Sequence, residues 1–319
     1  MALLSVVLPA YNEKENIAPA VEELSKVLEP LEEDYEILFV SDGSTDGTYE
    51  EILRVAGRNP HVKGAEFSRN FGKEAAIFAG LELAAGDAVV VMDCDLQHPP
   101  AVLPEMVGKW RAGAEVVEGI KSSRGRESLG YKLSAGLFYK VMSRLIRMDM
   151  NASSDYKLLD RKVVAALLEL PERNTFFRAL SFWVGFRTEK VTYEVQERRY
   201  GRSKWSLKSL VRYAVRNATS FSTLPLQIVT WLGWLFLVFS LVLGVQTLVR
   251  FCMGNAATGF TTVILLILLV GGALMLSLGI LGHYIARIYE EVKGRPRYII
   301  REITGNLPEQ VKGAWKKHD

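Results

Sequence analysis

Short apolar runs alternate with amphipathic stretches along the N-terminal part of the chain. The runs have the length and composition of buried strands, at Leu3 to Leu8, Tyr35 to Val40, Val62 to Phe67 and Ala88 to Met92. The stretches between them carry apolar residues at helical spacing, over 16–28, 48–56 and 72–85. Strands that alternate with helices in this way predict an α/β fold, with a Rossmann-type, mostly parallel sheet and helices on both faces.

Two much longer apolar runs follow towards the C-terminus, from Leu224 to Val249 and from Thr261 to Ala286. Each is long enough to cross roughly 30 Å of hydrocarbon and exceeds what a buried core helix, the alternative, usually needs. Basic residues crowd the sequence before the first run and after the second, whereas the connection Arg250 to Phe260 holds a single one. The pattern predicts a transmembrane helical hairpin with both flanks in the cytoplasm.

The composition argues against several classes of protein. The chain has 319 residues, 49% of them hydrophobic, which suffices for an α/β core and an appendage. With 39 Lys and Arg against 36 Asp and Glu, it lacks the charge typical of nucleic-acid binding. Cys94 and Cys252 stand far apart, so we expect free thiols rather than a disulfide framework or a zinc site. The first residues lack the basic region of a signal peptide, so we expect a cytoplasmic N-terminus.

Polar side chains cluster where the predicted strands end. They follow the first, second and fourth runs, in the order Tyr11-Asn12-Glu13, Asp42, and Asp93 with Asp95. The carboxyl ends of parallel strands meet at one edge of a sheet, where α/β folds bind their ligands. The sequence therefore predicts an active site at this edge.

Asp93, Asp95 and Gln97 offer oxygen ligands close to one point, directly after a buried strand. Hard cations such as Mg²⁺ and Mn²⁺ prefer such ligands, although an Asp-x-Asp sequence is also common in solvated turns. Asp42 suits hydrogen bonds to a nucleobase or ribose, and equally a turn. Asp46 stands next to the helix predicted from Thr48 and suits its N-terminal cap.

A basic segment from Arg198 to Trp205 precedes the first apolar run, with its cations grouped around a glycine. Such a segment suits phosphate binding, and it equally suits attraction to anionic lipid headgroups. We expect its residues to divide between the two.

Four motifs together resemble glycosyltransferase family 2, namely Pro9 to Glu13, Ser41 to Thr48, Asp93 to Pro100 and Gly201 to Trp205. Within it the chain is most similar to the polyisoprenyl-phosphate branch, which includes dolichyl-phosphate mannose synthases and bacterial undecaprenyl-phosphate glucosyltransferases. The resemblance implies a GT-A-like catalytic domain over 1–205, a juxtamembrane amphipathic helix over 206–223, two spans within 224–286 and a basic cytoplasmic tail over 287–319. A second membrane-surface helix is implied over Ser128 to Arg147.

The resemblance also assigns roles to single positions. Nucleoside contacts fall on Pro9, Tyr11, Glu13, Val40 and Asp42, the metal site on Asp93, Asp95 and Gln97, and phosphate contacts on Lys121, Arg198 and Lys204. Asp155 matches a catalytic or acceptor-side carboxylate, and it joins Asp95 as a catalytic candidate; its alternative role is to cap a helix near Leu158 to Leu168. The chain departs from the family pattern at Ser41, where Asp is usual, and at Lys121, where Arg is commoner.

The implied reaction is the inverting, metal-dependent transfer of a sugar to a polyisoprenyl phosphate, in particular undecaprenyl phosphate. UDP-glucose or a related nucleotide sugar is favoured as the donor over GDP-mannose. The acceptor oxygen is already anionic at neutral pH, so no dedicated general base is required. Membrane lipids are expected partners, and glycines in the second run leave a homo-oligomer open. The alternatives are a processive polysaccharide synthase, for which Gln196 to Tyr200 nearly matches Gln-x-x-Arg-Trp, and a noncatalytic membrane scaffold.

Overall fold

The structure, a computed structural model, describes residues 2–121, 154–172, 176–194, 224–253 and 259–305. The chain divides into two units, Met1–Trp205 with Pro296–Asp319, and Ser206–Arg295. The predicted membrane-surface helices over 128–147 and 206–223 lie outside the described residues, and so do Arg198 and Lys204.

The predicted alternation of strands and helices is confirmed in the first unit, and the predicted ends lie within about two residues of the observed ones. Its described elements are β1 (Leu3–Ala10), α1 (Lys14–Leu28), β2 (Asp34–Ser41), α2 (Thr48–Ala56), β3 (Val62–Phe67), α3 (Lys73–Leu83), β4 (Ala88–Val91), a 3-10 turn (Pro100–Val102), α4 (Leu103–Arg111), β5 (Val116–Lys121), β6 (Lys157–Asp160), α5 (Arg161–Glu169), α6 (Phe177–Trp183), β7 (Thr188–Tyr193) and β8 (Ile300–Thr304).

The strands form one sheet in the order β7-β5-β6-β4-β1-β2-β3-β8. The inner strands β4, β1, β2 and β3 are parallel to one another, as predicted. Two strands run the other way: β6 pairs antiparallel with both β4 and β5, and β8 pairs antiparallel with β3. The sheet is therefore mixed but mostly parallel, and the carboxyl ends of β1, β2 and β4 share one edge.

Helices cover both faces of this sheet, which explains why its central strands are mostly apolar; the buried Glu36 of β2 is paired with Lys63 of β3. On one face Leu4, Val6 and Leu8 pack in a core with residues of α1, α2 and α4. On the other face α3 lies against β1 at Gly80, where a Cβ atom would come within 2.1 Å of Val7 Cγ1. Strands buried on both sides need no polar alternation, so their sequences are continuous apolar runs.

The interval 287–319, predicted as a basic tail, is partly folded. Its residues Ile300–Thr304 form the edge strand β8, and Tyr298 stacks on Phe67 with ring centroids 5.1 Å apart. The Tyr298 hydroxyl donates a hydrogen bond to Glu82, which fastens the segment to α3. Because β8 is short and carries charged residues, its sequence alone predicts no strand; the free edge of β3 supplies its pairing partner.

The second unit contains two long helices among its described residues, α7 (Leu224–Cys252) and α8 (Phe260–Val292). Their windows Leu226–Arg250 and Leu269–Val292 have mean hydropathies of 2.3 and 1.7, and neither window is buried by the protein. By length and composition both helices are able to cross a membrane.

A backbone constraint in the loop after β2 gives a test of the fold. Gly43 has φ +61°, and a Cβ atom there would lie 2.3 Å from the Arg69 carbonyl carbon. We expect Gly43→Ala to lower the free energy of unfolding by about 1–3 kcal/mol, since both the conformation and the contact oppose it. Gly108→Ala is the matched control, because a Cβ atom meets nothing within 4 Å there and alanine favours the helix α4. Equal free energies of unfolding for Gly43→Ala and Gly108→Ala, measured with denaturant, would contradict this constraint.

Candidate active site

The loops that follow β1 and β2 are fastened to each other at the carboxyl edge of the sheet. The Asn12 backbone N–H donates to Ser44 Oγ at 3.1 Å, and Asn12 Oδ1 accepts from the Thr45 N–H at 2.9 Å. Asn12 has φ 55°, a left-handed conformation that asparagine tolerates better than most residues. The neighbouring Tyr11 side chain stays 42% exposed at this edge.

The same pair of loops fixes the start of helices α1 and α2. The Glu13 N–H donates to Thr48 Oγ1 at 3.0 Å, and the Glu13 carboxylate accepts from Asn16 Nδ2 at 2.5 Å. Asp46 Oδ1 accepts the Thr48 N–H at 3.0 Å, where α2 begins, so the capping role predicted for Asp46 is confirmed.

Asp42 is buried, and its partners are distant in sequence. Its two carboxylate oxygens accept the backbone N–H groups of Phe71, at 2.6 Å, and Gly72, at 2.9 Å. Burial raises the pKa of Asp42, and these two N–H groups partly offset the effect. Asp42 therefore holds the loop that precedes α3, which corrects the alternative of a local turn. Its contact with a nucleoside stays a prediction.

Pro9 and Val40, two other positions assigned to the nucleoside, face each other across β1 and β2. Both are buried. The Val40 side chain packs in a small core with Phe67 and residues of α3. The structure thus places both residues in the buried interior of the sheet, near the carboxyl ends of β1 and β2.

The predicted metal ligands lie in a tight turn after β4. Asp95 is buried and its Oδ1 accepts the Gln97 N–H at 3.1 Å. Between them Leu96 has φ 59°, a conformation that is rare for a leucine and costs on the order of 1–3 kcal/mol. His98 Nδ1 accepts the Asp93 N–H at 3.1 Å, and its ring stacks on Tyr156. Burial lowers the pKa of His98, which favours the neutral ring that this hydrogen bond needs.

The chemistry of this turn suits a divalent cation completed by a substrate. Among the described residues, no group of three or more His, Cys, Asp or Glu side chains stands together as a ready metal cage. Mg²⁺ is commonly held by one or two carboxylates, water and the phosphates of a substrate. Asp93 and Asp95, with the amide oxygen of Gln97, form such an incomplete set.

A buried ion cluster stands beside the turn, centred on Asp155. Arg178 donates from Nε to Asp155 Oδ1 at 2.6 Å and from Nη2 to Oδ2 at 2.9 Å. Lys73 Nζ lies 2.8 Å from Asp155 Oδ2 and 2.5 Å from Asp93 Oδ1, so it joins the cluster to the metal turn. Asp160, not Asp155, caps the helix α5 by accepting the Lys162 N–H, so the capping alternative for Asp155 is wrong.

The charges in this cluster stabilise one another. Burial alone would raise the pKa of Asp155, but Arg178 and Lys73 hold that pKa well below its usual range. Burial likewise opposes the charge of Lys73, yet Asp155 and Asp93 raise its pKa above the ordinary value. Lys121 ends β5 near the cluster, and desolvation and the Arg178 cation lower its pKa. Asp155, Asp93, Lys73 and Arg178 thus form a set of paired, ionised groups at neutral pH.

Sequence reasoning missed four of these residues, namely Lys73, Glu74, His98 and Arg178. It searched the ends of strands, whereas Lys73 and Glu74 begin a helix and Arg178 lies in the short helix α6. Glu74 Oε2 accepts the Phe177 N–H at 2.8 Å, which fixes the start of α6 against α3. One signal was available: His98 directly follows the proposed ligand Gln97.

Comparison with known proteins agrees with this geometry. Residues 5–168 match the model of a family described as glycosyl transferase family 2. A bactoprenol glucosyl transferase of Shigella phage SfII is 38% identical over 301 residues, which cover 94% of this chain and 97% of that protein. An uncharacterized glycosyltransferase of Synechocystis sp. is 38% identical over 304 residues, or 95% of this chain and 96% of that protein.

A solved structure shares the fold at low sequence identity. Glucosyl-3-phosphoglycerate synthase from Mycobacterium tuberculosis, crystallised with Mn²⁺, UDP and glucosyl-3-phosphoglycerate, is 20% identical and has a TM-score of 0.52. The match covers 68% of this chain and 78% of that one. This likeness shows the GT-A fold.

Glu74 makes the stability of the site dependent on pH. Burial, together with the Asp155 charge, raises its pKa from 4.5 to about 7. Between these values the unfolded chain releases this proton while the folded protein keeps it, so the free energy of unfolding falls as pH rises. We expect Glu74→Gln, which keeps the oxygen that accepts the Phe177 N–H, to match the wild type in melting temperature near pH 4 and to exceed it near pH 8. A difference in melting temperature between Glu74→Gln and the wild type that is the same at both pH values would contradict the raised pKa of Glu74.

Proposed function

Because this chain belongs to glycosyl transferase family 2 and is a glycosyltransferase, we propose that it transfers a sugar from a nucleotide-diphosphate sugar to a polyisoprenyl phosphate. The observation that carries the proposal is the cluster in which Lys73 and Arg178 surround Asp155 beside the carboxylates of Asp93 and Asp95. It places fixed positive charge next to a candidate metal site, which suits a reaction between two phosphate-bearing substrates.

The relatives named bactoprenol glucosyl transferases support the finer assignment of substrates. Their similarity extends over nearly the whole chain, including the apolar helices. Undecaprenyl phosphate is therefore the acceptor that we favour, and UDP-glucose or a related nucleotide sugar is the donor. In-line attack by the acceptor phosphate would invert the configuration at the anomeric carbon.

On the donor side, the loop of Tyr11 and Glu13, together with the buried residues Pro9 and Val40, would contact the nucleoside. Asp42 supports this side of the site by holding the loop that precedes α3. Asp93, Asp95 and Gln97 would hold Mg²⁺ or Mn²⁺. When bound, the ion would offset the charge that develops on the leaving diphosphate. Lys121, together with Arg198 and Lys204, would contact the phosphates, in agreement with its place at the end of β5.

On the acceptor side, the low pKa of Asp155 makes this carboxylate a poor proton acceptor. The acceptor phosphate needs no deprotonation, so no base is missing. Asp155 acts instead as a positioning residue, because its oxygens fix the guanidinium of Arg178 and the ammonium of Lys73. Cations fixed before the substrates arrive lower the repulsion between acceptor and donor phosphates without a reorganisation cost during the reaction.

The fold supports a hairpin arrangement of the two apolar helices. The chain leaves the first unit before α7 and returns to it after α8, where β8 pairs with β3. Two segments of one sheet lie on the same side of any membrane, so the chain between them crosses an even number of times. With the basic flanks, this supports a cytoplasmic catalytic domain over 1–205, spans within 224–286 and two cytoplasmic termini. The amphipathic helix over 206–223 stays a prediction from the family resemblance.

The decisive experiment incubates the purified protein with a panel of UDP- and GDP-sugars and with undecaprenyl or dolichyl phosphate, and identifies the lipid product by mass. We expect one lipid-phosphate monosaccharide. A polymer would indicate a processive synthase, and no consumption of any donor would indicate a noncatalytic scaffold.

Loss of the Asp155 charge removes the ion pair that holds Arg178 and leaves Lys73 with Asp93 alone, so we expect Asp155→Asn to lower kcat severely. The dissociation constant for the nucleotide sugar should stay within a few-fold of the wild type, since the interaction acts mainly in the transition state. Asp160→Asn is the control, because Asp160 caps α5 and binds Trp110 Nε1 away from the cluster. It should cost about 1 kcal/mol of stability, because the single amide oxygen cannot accept from both Lys162 and Trp110, and it should leave turnover nearly normal. Similar turnover of the two variants would refute the role of Asp155.

Loss of a metal ligand should affect turnover and metal binding together. We expect Asp95→Asn to lower turnover by at least about a hundredfold and to weaken Mn²⁺ binding measured by electron paramagnetic resonance. Asp87→Asn is the control, since Asp87 accepts the Leu3 N–H at the opposite edge of the sheet. Chelation should abolish wild-type activity, and Mg²⁺ or Mn²⁺ should restore it. Full activity in excess EDTA is the outcome that excludes the metal.

The two free cysteines test the topology. Cys252 is exposed at the end of α7, whereas Cys94 is buried in the first unit. A membrane-impermeant thiol reagent added outside intact cells should label Cys252 and spare Cys94. Labelling of Cys252 only after the membrane has been opened would overturn the proposed orientation.

A further inference from the structure

The most exposed aromatic side chains of the first unit stand together at the end of α6. Among the described residues of that unit, Phe182 and Trp183 keep 56% and 66% of their surface exposed. The other large apolar side chains exposed there are isolated, at Tyr11, Leu53 and Ile299. Scattered apolar residues are ordinary on a protein surface, whereas an adjacent aromatic pair indicates a surface that binds an apolar partner.

The same helix carries a cation of the candidate site one turn earlier. The Phe177 N–H contacts Glu74, and Arg178 binds Asp155, so α6 begins at the ion cluster. Arg178 and Phe182 are four residues apart, which places them on one face of the helix and about 6 Å apart along its axis. The Arg178 side chain is 30% exposed, so this face passes from a solvent-accessible cation to the exposed ring of Phe182, and Trp183 stands next to Phe182 where the helix ends.

We propose that Phe182 and Trp183 form a subsite for the lipid chain of the acceptor, on which its first isoprene units lie while its phosphate meets Arg178 and Lys73. This inference rests on the function proposed above. A polyisoprenyl phosphate joins an anionic head directly to an apolar chain, so its site must offer apolar surface beside a cation. The exposed face of α6 offers both in that order. A nucleotide sugar carries no such chain, so the aromatic pair serves the acceptor and not the donor.

Chain length of the acceptor provides the test. The full-length protein in detergent is assayed with undecaprenyl phosphate and with ethyl phosphate, which carries no isoprene unit and is too short to reach the aromatic pair. We expect the double variant Phe182→Ser, Trp183→Ser to raise KM for undecaprenyl phosphate at least about tenfold, the scale of losing buried apolar contact. Its kcat, and both constants for ethyl phosphate, should stay within about twofold of the wild type.

Two further variants make the comparison specific. Trp183→Phe keeps an apolar ring and should restore most of the preference for the long chain. Leu53→Ser removes an exposed apolar side chain from α2, away from α6, and should leave both values of KM unchanged. If Leu53→Ser raised KM as much as the double variant does, the assignment to α6 would be lost.

The remaining outcomes separate this subsite from its alternatives. If α6 instead docks on the bilayer itself, the double variant should have the kcat and KM of the wild type in detergent. In proteoliposomes it should then lose the same fraction of activity with both acceptors, and this result would overturn the subsite. A wild-type enzyme that glycosylates both acceptors with the same KM would overturn the subsite and leave the proposed function intact. A wild-type enzyme that glycosylates neither would overturn both.

Discussion

A buried carboxylate surrounded by two cations is the interaction on which the candidate site depends. Asp155 is 5% exposed, and removal of an ionised group from water is costly unless opposite charges compensate it. Lys73 from the start of α3 and Arg178 from α6 provide that compensation, 82 and 23 residues away in the sequence. One ion cluster thereby fixes three separate segments beside the candidate metal turn.

A similar device organises the donor side. Asp42 uses both carboxylate oxygens to hold the loop that leads into α3, and α3 in turn presents Lys73 to Asp93 and Asp155. The loop after β2 and the ion cluster are therefore mechanically connected through the first turn of one helix. Carboxylates at this sheet edge serve two purposes: some hold the backbone in place, and others are available for chemistry.

The sequence predicts the part of this arrangement that depends on local pattern. β1 to β4 are apolar runs because both faces of the sheet are covered, and the parallel order brings Asp93 and Asp95 to the same edge as Asp42. Long-range pairings leave no such trace. The contacts of Lys73 and Arg178 with Asp155 cannot be predicted from sequence spacing, and neither can the contacts of Asp42 with the loop before α3. Each of them joins residues that only the folded chain brings together.

Irregular backbone conformations, and strands that pair with distant parts of the chain, are equally difficult to predict from the sequence. The left-handed conformation of Leu96 depends on its burial in the core and on the Asp95 hydrogen bond to Gln97, neither of which a leucine in the sequence reveals. β6 is a short strand that lies between β4 and β5 and runs antiparallel to both. Its position in the sheet depends on these two neighbours, and its own four residues do not predict it. Candidate site residues lie beside both kinds of feature, so the sequence pattern predicts the sheet edge at which they gather but not the full set.

The position of β8 has a consequence for biosynthesis. The strand completes the sheet by pairing with β3, yet it emerges from the ribosome only after both long apolar helices have been made. Until then the nascent catalytic unit has an unpaired edge at β3, where Phe67 lacks the ring of Tyr298 that later covers it. Unpaired edges attract other strands, so a chaperone or prompt delivery to the membrane would protect this intermediate from aggregation. Completion of the sheet is thus tied to completed synthesis of the two long apolar helices.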